Sequence, residues 1–217
     1  IYQDVFDSTD DGEIITDVDG IIVKVNPGFE KITGMSSIQL IQQPLDILKE
    51  SLLPDLNFNE ILKKLDTENT WNDELSGRKE DDQSWIANIT FSPIRNEVDQ
   101  IFSYAGIFKD VTAQRQVEQA LITSLKQMNL DFADLYLMHW PIPEHRLESW
   151  RAMEKLLSEG KCRAIGVSNF MVRHLEQLLE HSEIIPAVNQ IELSPFNFLQ
   201  RKKLLEYCRE RDIIIEA

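Results

Sequence analysis

The 217-residue chain has only two cysteines, Cys162 and Cys208, too few for a disulfide framework at this length. They are read as reduced thiols, which points to the cytoplasm. Glycine and proline number 8 each, excluding collagen-like and low-complexity chains. Apolar runs are short: the stretch from Ala133 to Pro143 is interrupted before the roughly 18 residues a membrane span needs. The acidic N-terminal stretch shows no charged-then-apolar leader. Basic charge is scarce as well. With 22 Lys+Arg against 37 Asp+Glu the net charge is -15, so neither nucleic acid nor a membrane surface is expected as a partner. What is present is a globular composition, 42% hydrophobic and 27% charged, at a length that suits two domains with cores of their own.

The two halves differ in charge and in residue usage. Residues 1–120 hold 10 Lys+Arg and 23 Asp+Glu, whereas residues 121–217 hold 12 and 14. All four histidines and both cysteines fall in the second half, and six of the eight glycines in the first. The shift suggests two domains, 1–120 and 121–217. In the first, apolar runs at Gly12 to Asp17 and Ile21 to Val25 flank Asp19-Gly20, a strong hairpin signal. Asn26-Pro27 then opens a short helix closed by Gly34, and Ile61, Leu62 and Leu65 form a helical stripe within Phe58 to Leu65. Three more strands are predicted near Trp71 to Leu75, Ser84 to Pro93 and Ile101 to Lys109.

The second half alternates strands with helices, which means parallel strands joined by crossover helices. Strands are predicted at Leu135 to His139, Ala164 to Ser168, Ala187 to Ile191 and Ile213 to Glu216. Helices fall near Glu148 to Leu157, Val172 to Glu180 and Gln200 to Arg209. No strand is followed by Gly-x-Gly-x-x-Gly, and no Gly-x-x-x-x-Gly-Lys occurs, so neither a dinucleotide fingerprint nor a P-loop is present. No metal site is expected. One continuous helix, Thr112 to Met128, bridges the halves, with Val117, Leu121 and Leu125 on one stripe.

Three segments of the first half resemble PAS domains, the sensory modules of signalling proteins. They are Ile22-Val23-Lys24-Val25-Asn26-Pro27-Gly28-Phe29 through Thr33-Gly34, Trp71 to Leu75 with the charged turn Arg78 to Asp82 and the strand from Trp85, and Gly106 to Thr112 ending in Asp-x-Thr. The resemblance implies an α+β domain, a five-stranded antiparallel sheet with helices over one face, often with a pocket for a small-molecule ligand between them; the ligand is unknown. Residues 1–120 contain no His or Cys, so neither histidine-ligated haem nor a cysteinyl-flavin adduct suits this domain. Trp71 and Trp85 could stack on a planar ligand, but the commoner role of such residues is core. The Asp-x-Thr element reads either as a plain helix cap or as a signalling joint, since one hydrogen bond serves both.

The second half is similar to aldo-keto reductases. The matching segments, in family order, are Asp131 to Pro141, Ser149 to Leu156, Gly160 to Phe170 and Val188 to Phe196. The resemblance implies an α/β half-barrel of four parallel strands, the family's strands four to seven, out of an eight-stranded (β/α) barrel that binds NADPH at its carboxyl strand ends. It assigns His139 to orienting a substrate carbonyl, Trp140 to the substrate pocket, and Ser168, Asn169 and Gln190 to the nicotinamide carboxamide. The family's proton-donating tyrosine and its lysine and aspartate partners come from strands one to three, which have no counterpart here. The stacking tyrosine and phosphate-gripping segment follow strand seven, past Ala217, so NADPH binding is expected to be weak. Glu118 to Lys126 reads equally as a PAS output helix and as the helix before strand four.

Three functions remain open from the sequence. The first is a PAS sensing or dimerisation module fused to a reductase segment without turnover of its own. The second is a PAS-regulated, NADPH-dependent aldehyde or ketone reductase completed by residues outside this chain. The third is an interaction scaffold. Four parallel strands cannot close a barrel, and with the Val117, Leu121, Leu125 stripe this leads us to expect a homodimer.

Overall fold

The first reversal of the chain is built by local hydrogen bonds. Asp17 Oδ1 accepts the backbone N–H groups of Asp19 and Ile21, and Gly20 sits at φ 80°, a region glycine enters without penalty. This turn joins β1 (Gly12–Thr16) to β2 (Ile22–Val25) as an antiparallel pair. The computed structural model describes residues 2–51, 53–65, 67–78, 83–143 and 145–217. The chain divides into two units, Ile1–Thr112 and Ala113–Ala217.

In the first unit, α1 (Tyr2–Ser8) precedes β1, and α2 (Pro27–Thr33), α3 (Ser37–Leu40), α4 (Ile47–Ser51) and α5 (Phe58–Leu65) follow β2. Then come β3 (Trp71–Arg78), β4 (Ser84–Arg95) and β5 (Ile101–Asp110). The sheet order is β2-β1-β5-β4-β3, antiparallel throughout. This is the expected five-stranded α+β architecture. The charged turn at 79–82 lies outside the described residues.

Asn26 fixes how α2 meets the sheet. Its Oδ1 accepts the N–H of Phe29 at 2.8 Å and that of Glu13 at 2.7 Å, while its amide donates to the carbonyls of Phe6 and Asp11. Pro27 then starts the helix with a pre-set φ, and Gly34 at φ 78° ends it. Gly28 is required by contact: a Cβ there would lie 2.4 Å from the carbonyl oxygen of Asp11.

Alternate residues of β4 are buried, so Trp85, Ala87, Ile89 and Phe91 line one face. Phe91 meets the rings of Phe58, Trp71 and Phe108 at centroid distances of 5.8, 6.1 and 6.0 Å. Trp71 and Trp85 are both core residues, and the buried indole N–H of Trp85 has no partner among the described residues. At the end of β5, Asp110 Oδ1 accepts the N–H of Thr112, and Thr112 Oγ1 accepts that of Ile86 in β4. The Asp-x-Thr element thus satisfies the Thr112 N–H through its aspartate and a β4 N–H through its threonine.

The second unit begins at Ala113, inside α6 (Thr112–Met128), and continues β6 (Ala133–Met138), α7 (Arg146–Ser158), β7 (Cys162–Ser168), α8 (Val172–Glu180), β8 (Val188–Gln190), α9 (Phe198–Arg209) and β9 (Ile214–Glu216). The sheet order β6-β7-β8-β9 is parallel throughout, the half-barrel arrangement. Ile165 and Val167 face the helices and pack with Trp150, Met153, Leu156, Leu175 and Leu178. On the opposite face Leu135, Leu137 and Val188 are half-buried, and Ile214 is 65% exposed.

The stripe on α6 does not form a free dimer face. Leu121 and Leu125 are buried in the core of the second unit, with Val117 packed against it. Tyr136 on β6 donates to the Val117 carbonyl, and Glu118 pairs with Lys155 of α7 at 2.7 Å and with Arg115 at 2.6 Å. Burial raises the Glu118 carboxyl, but those hydrogen bonds and charges together bring it below its ordinary value. Periodicity revealed an apolar face; it could not reveal that β6 and α7 cover it.

At the start of α8, His174 Nδ1 accepts the Met171 N–H at 3.2 Å, capping the helix from inside. A neutral imidazole has one bare nitrogen, so Nε2 carries the proton and its approach to Arg173 is a contact rather than a second accepted bond. Burial, then the charges of Arg146 and Arg173, hold the imidazole below its ordinary 6.5. The unfolded chain therefore takes up this proton before the folded one does, and stability is lost as pH falls from 6.5 toward the lower folded value. Thermal melts between neutral and mildly acidic pH are expected to show this loss, and His174→Gln to flatten it.

Candidate functional site

The predicted site residues gather at the carboxyl ends of β6, β7 and β8. Gly166 allows the close approach, since a Cβ there would lie 2.7 Å from both the Val188 carbonyl oxygen and Leu137 Cδ2. With β7 and β8 in that register, Ser168 stands opposite Gln190. Asn169 follows Ser168 at φ 62°, a left-handed conformation that asparagine tolerates better than most residues.

Asn169 is the hub. Its amide donates to the carbonyl of His139 and to Ser168 Oγ, both at 3.1 Å, and its backbone N–H donates to the Gln190 carbonyl at 2.9 Å. Both amide hydrogens are thereby used, which leaves Oδ1 as the acceptor without a partner among the described residues. The half-buried Gln190 side chain likewise has no described hydrogen bond. Ser168 is 4% exposed. A hydroxyl, an acceptor oxygen and a primary amide thus belong to residues at neighbouring strand ends, a set of group types able to meet both the C=O and the NH₂ of a carboxamide.

His139 and Trp140 lie on the loop after β6, both exposed, with ring centroids 5.7 Å apart. Asn169 holds the backbone of this loop through the His139 carbonyl, not the imidazole. Asn189, which the sequence analysis does not single out, is fully buried on the helix side of β8. It donates to the Phe170 carbonyl at 3.0 Å, pinning the loop after β7, and its Oδ1 has no partner among the described residues. An asparagine inside an apolar run was the available signal.

The unit's two tyrosines lie elsewhere. Tyr136 bonds α6 on the helix side, and burial pushes its phenol up. Tyr207 lies in α9 under the Arg211 guanidinium, 3.7 Å from the ring centre, and burial pushes it up too, against the Arg211 charge. Both shifts run opposite to what a proton donor near neutral pH needs. Cys162 and Cys208 are free, buried and raised by burial, so both are inert thiols. Among the described residues no three His, Cys, Asp or Glu side chains group as metal ligands, and no helix is long and apolar enough to cross a membrane.

An antiparallel α+β unit followed by parallel strands with polar residues at their carboxyl ends makes two unlike modules, the second of them part of a (β/α) barrel. Residues 107–217, half of the chain, match the aldo/keto reductase family, and residues 10–113 match the PAS domain. The chain belongs to the aldo/keto reductase family through its second unit and carries a PAS domain in its first. Glyoxal reductase of Bacillus subtilis is 43% identical over 119 residues, covering 55% of this chain and 42% of that protein. The chain thus spans less than half the length of the curated relatives it matches. Among solved structures, a Bombyx mori aldo-keto reductase in complex with NADP is 38% identical, with a TM-score of 0.44, over 48% of this chain and 36% of that one. A PAS domain from Colwellia psychrerythraea is 25% identical, with a TM-score of 0.45, over 51% of this chain and 94% of that one.

Proposed function

We propose that the chain is a PAS sensing or dimerisation module fused to a reductase segment that receives the nicotinamide end of NADPH weakly and has no turnover of its own. The carrying observation is the Asn169 hub, which leaves hydrogen-bonding atoms of Ser168, Asn169 and Gln190 free at the strand ends. In this reading His139 orients a carbonyl and Trp140 lines the pocket. Each carboxamide bond contributes about 1 kcal/mol net, too little for tight binding. Neither Tyr136 nor Tyr207 can replace the family's proton donor.

The alternative is a reductase of aldehydes or ketones, completed by residues outside this chain and regulated by the PAS unit. It draws on the names of relatives such as glyoxal reductase. A PAS ligand is left unnamed in either case. The cytoplasmic setting goes with the two free thiols.

The homodimer in this proposal rests on β6 and β9, the outer strands of the parallel sheet, since α6 is already covered. A native mass spectrum tests assembly and cofactor together. We expect a dimer that retains NADPH only at high cofactor concentration. A monomer would remove the dimer, and a sub-micromolar dissociation constant would remove the weak-binding reading.

A further inference from the structure

The first turn of α7 carries a positive charge that no described residue compensates. Arg146 is 7% exposed. Its Nη2 donates to Gln177 Oε1 on α8 at 2.6 Å, and its Nε is buried with no partner among the described residues. Among the described residues no carboxylate pairs with it, Glu148 on the same turn included. A guanidinium cannot shed its charge by losing a proton, and burying a cation against one neutral amide is unfavourable.

The helix end beside it is also open. The N-cap residue, His145, supplies no side-chain cap, and the first capped amide of the turn is Ser149, which donates to the His145 carbonyl. The N–H groups of Arg146, Leu147 and Glu148 therefore have no described acceptor, and they lie at the positive end of the helix dipole. Arg173, in the first turn of α8, adds to this field, and after burial the charges of Arg146 and Arg173 both act against a charged His174 imidazole.

We propose that this corner of the second unit, between the first turns of α7 and α8, binds a phosphate-type oxyanion, held by the Arg146 guanidinium and the amides of residues 146–148. A tetrahedral oxyanion matches both a planar fork of donors and a ring of helix N–H groups. The site is independent of the nicotinamide reading, since it uses none of Ser168, Asn169, Gln190 or His139.

Amide NMR of the full chain, titrated at constant ionic strength with inorganic phosphate, with glycerol 3-phosphate and with chloride, tests it. Saturable movement of the 146–148 amides with phosphate but not chloride is expected. Tighter binding of glycerol 3-phosphate would identify an organic phosphate as the source, and equal or weaker binding would identify the free ion. Arg146→Met is expected to fold, having lost an unpaired buried charge, and to weaken phosphate roughly tenfold or more. Arg146→Lys, which keeps the charge without the fork, should fall between. Shifts that do not saturate, or equal affinity in wild type and both variants, would overturn the site.

Discussion

Asn26→Ala is expected to destabilise the first unit by about 3–5 kcal/mol, a large share of a small domain's stability. The side chain is 1% exposed and makes four bonds to backbone groups of α1, α2, β1 and the turn before β1. Losing a helix cap alone removes roughly 1 kcal/mol. The larger part comes from the stranded groups, since each buried donor or acceptor left unpaired costs about 1–3 kcal/mol, not fully additively. Asn26→Asp keeps the two accepted bonds and loses the two donated ones, so it should fall between. Urea denaturation followed by amide NMR of first-unit residues gives the value; a loss under about 1 kcal/mol would show that water can replace the asparagine.

Gly166→Val is expected to damage the second unit and the candidate site together. Even a single added carbon would sit 2.7 Å from the Val188 carbonyl oxygen, a backbone atom that cannot rotate away. Relief requires β7 and β8 to separate, which breaks Val167↔Asn189 and Ser168↔Gln190 pairing and detaches the Asn169 N–H from Gln190. Overpacking of this kind costs about 1–3 kcal/mol, more where backbone must move. Melting of the second unit should drop by several degrees while the amide spectrum of the first stays in place. Unchanged stability would mean the parallel register is not held by close approach at Gly166.

Local signals were legible and distant pairings were not. Asn26-Pro27 and Gly34 bracket α2 because capping is settled within a few residues, and the stripe of α5 and the helical pattern of α8 mark helices whose bounds match the structure. Helices α1, α3 and α4 are too short for a repeating stripe to emerge. That β1 lies between β2 and β5 depends on contacts across most of the unit, which no local pattern encodes; the family resemblance supplied only the five antiparallel strands, and the structure their order. At the site, motif positions named Ser168, Asn169 and Gln190, but only the folded loop shows both amide hydrogens of Asn169 committed and its oxygen free. Arg146 was invisible as a site because its neutral partner, Gln177, lies on another helix.

The central claim is a nicotinamide-facing surface without a proton donor. In the proposed reading general acid catalysis is lost, which typically removes on the order of 10² to 10⁴ in rate, and Tyr136 and Tyr207, held on the helix side or in α9 with raised phenols, are not expected to restore it. NADPH oxidation in the presence of an aromatic aldehyde, both at high concentration, measures this directly. The account predicts a rate equal to the background without protein; turnover that disappears in His139→Ala would contradict it.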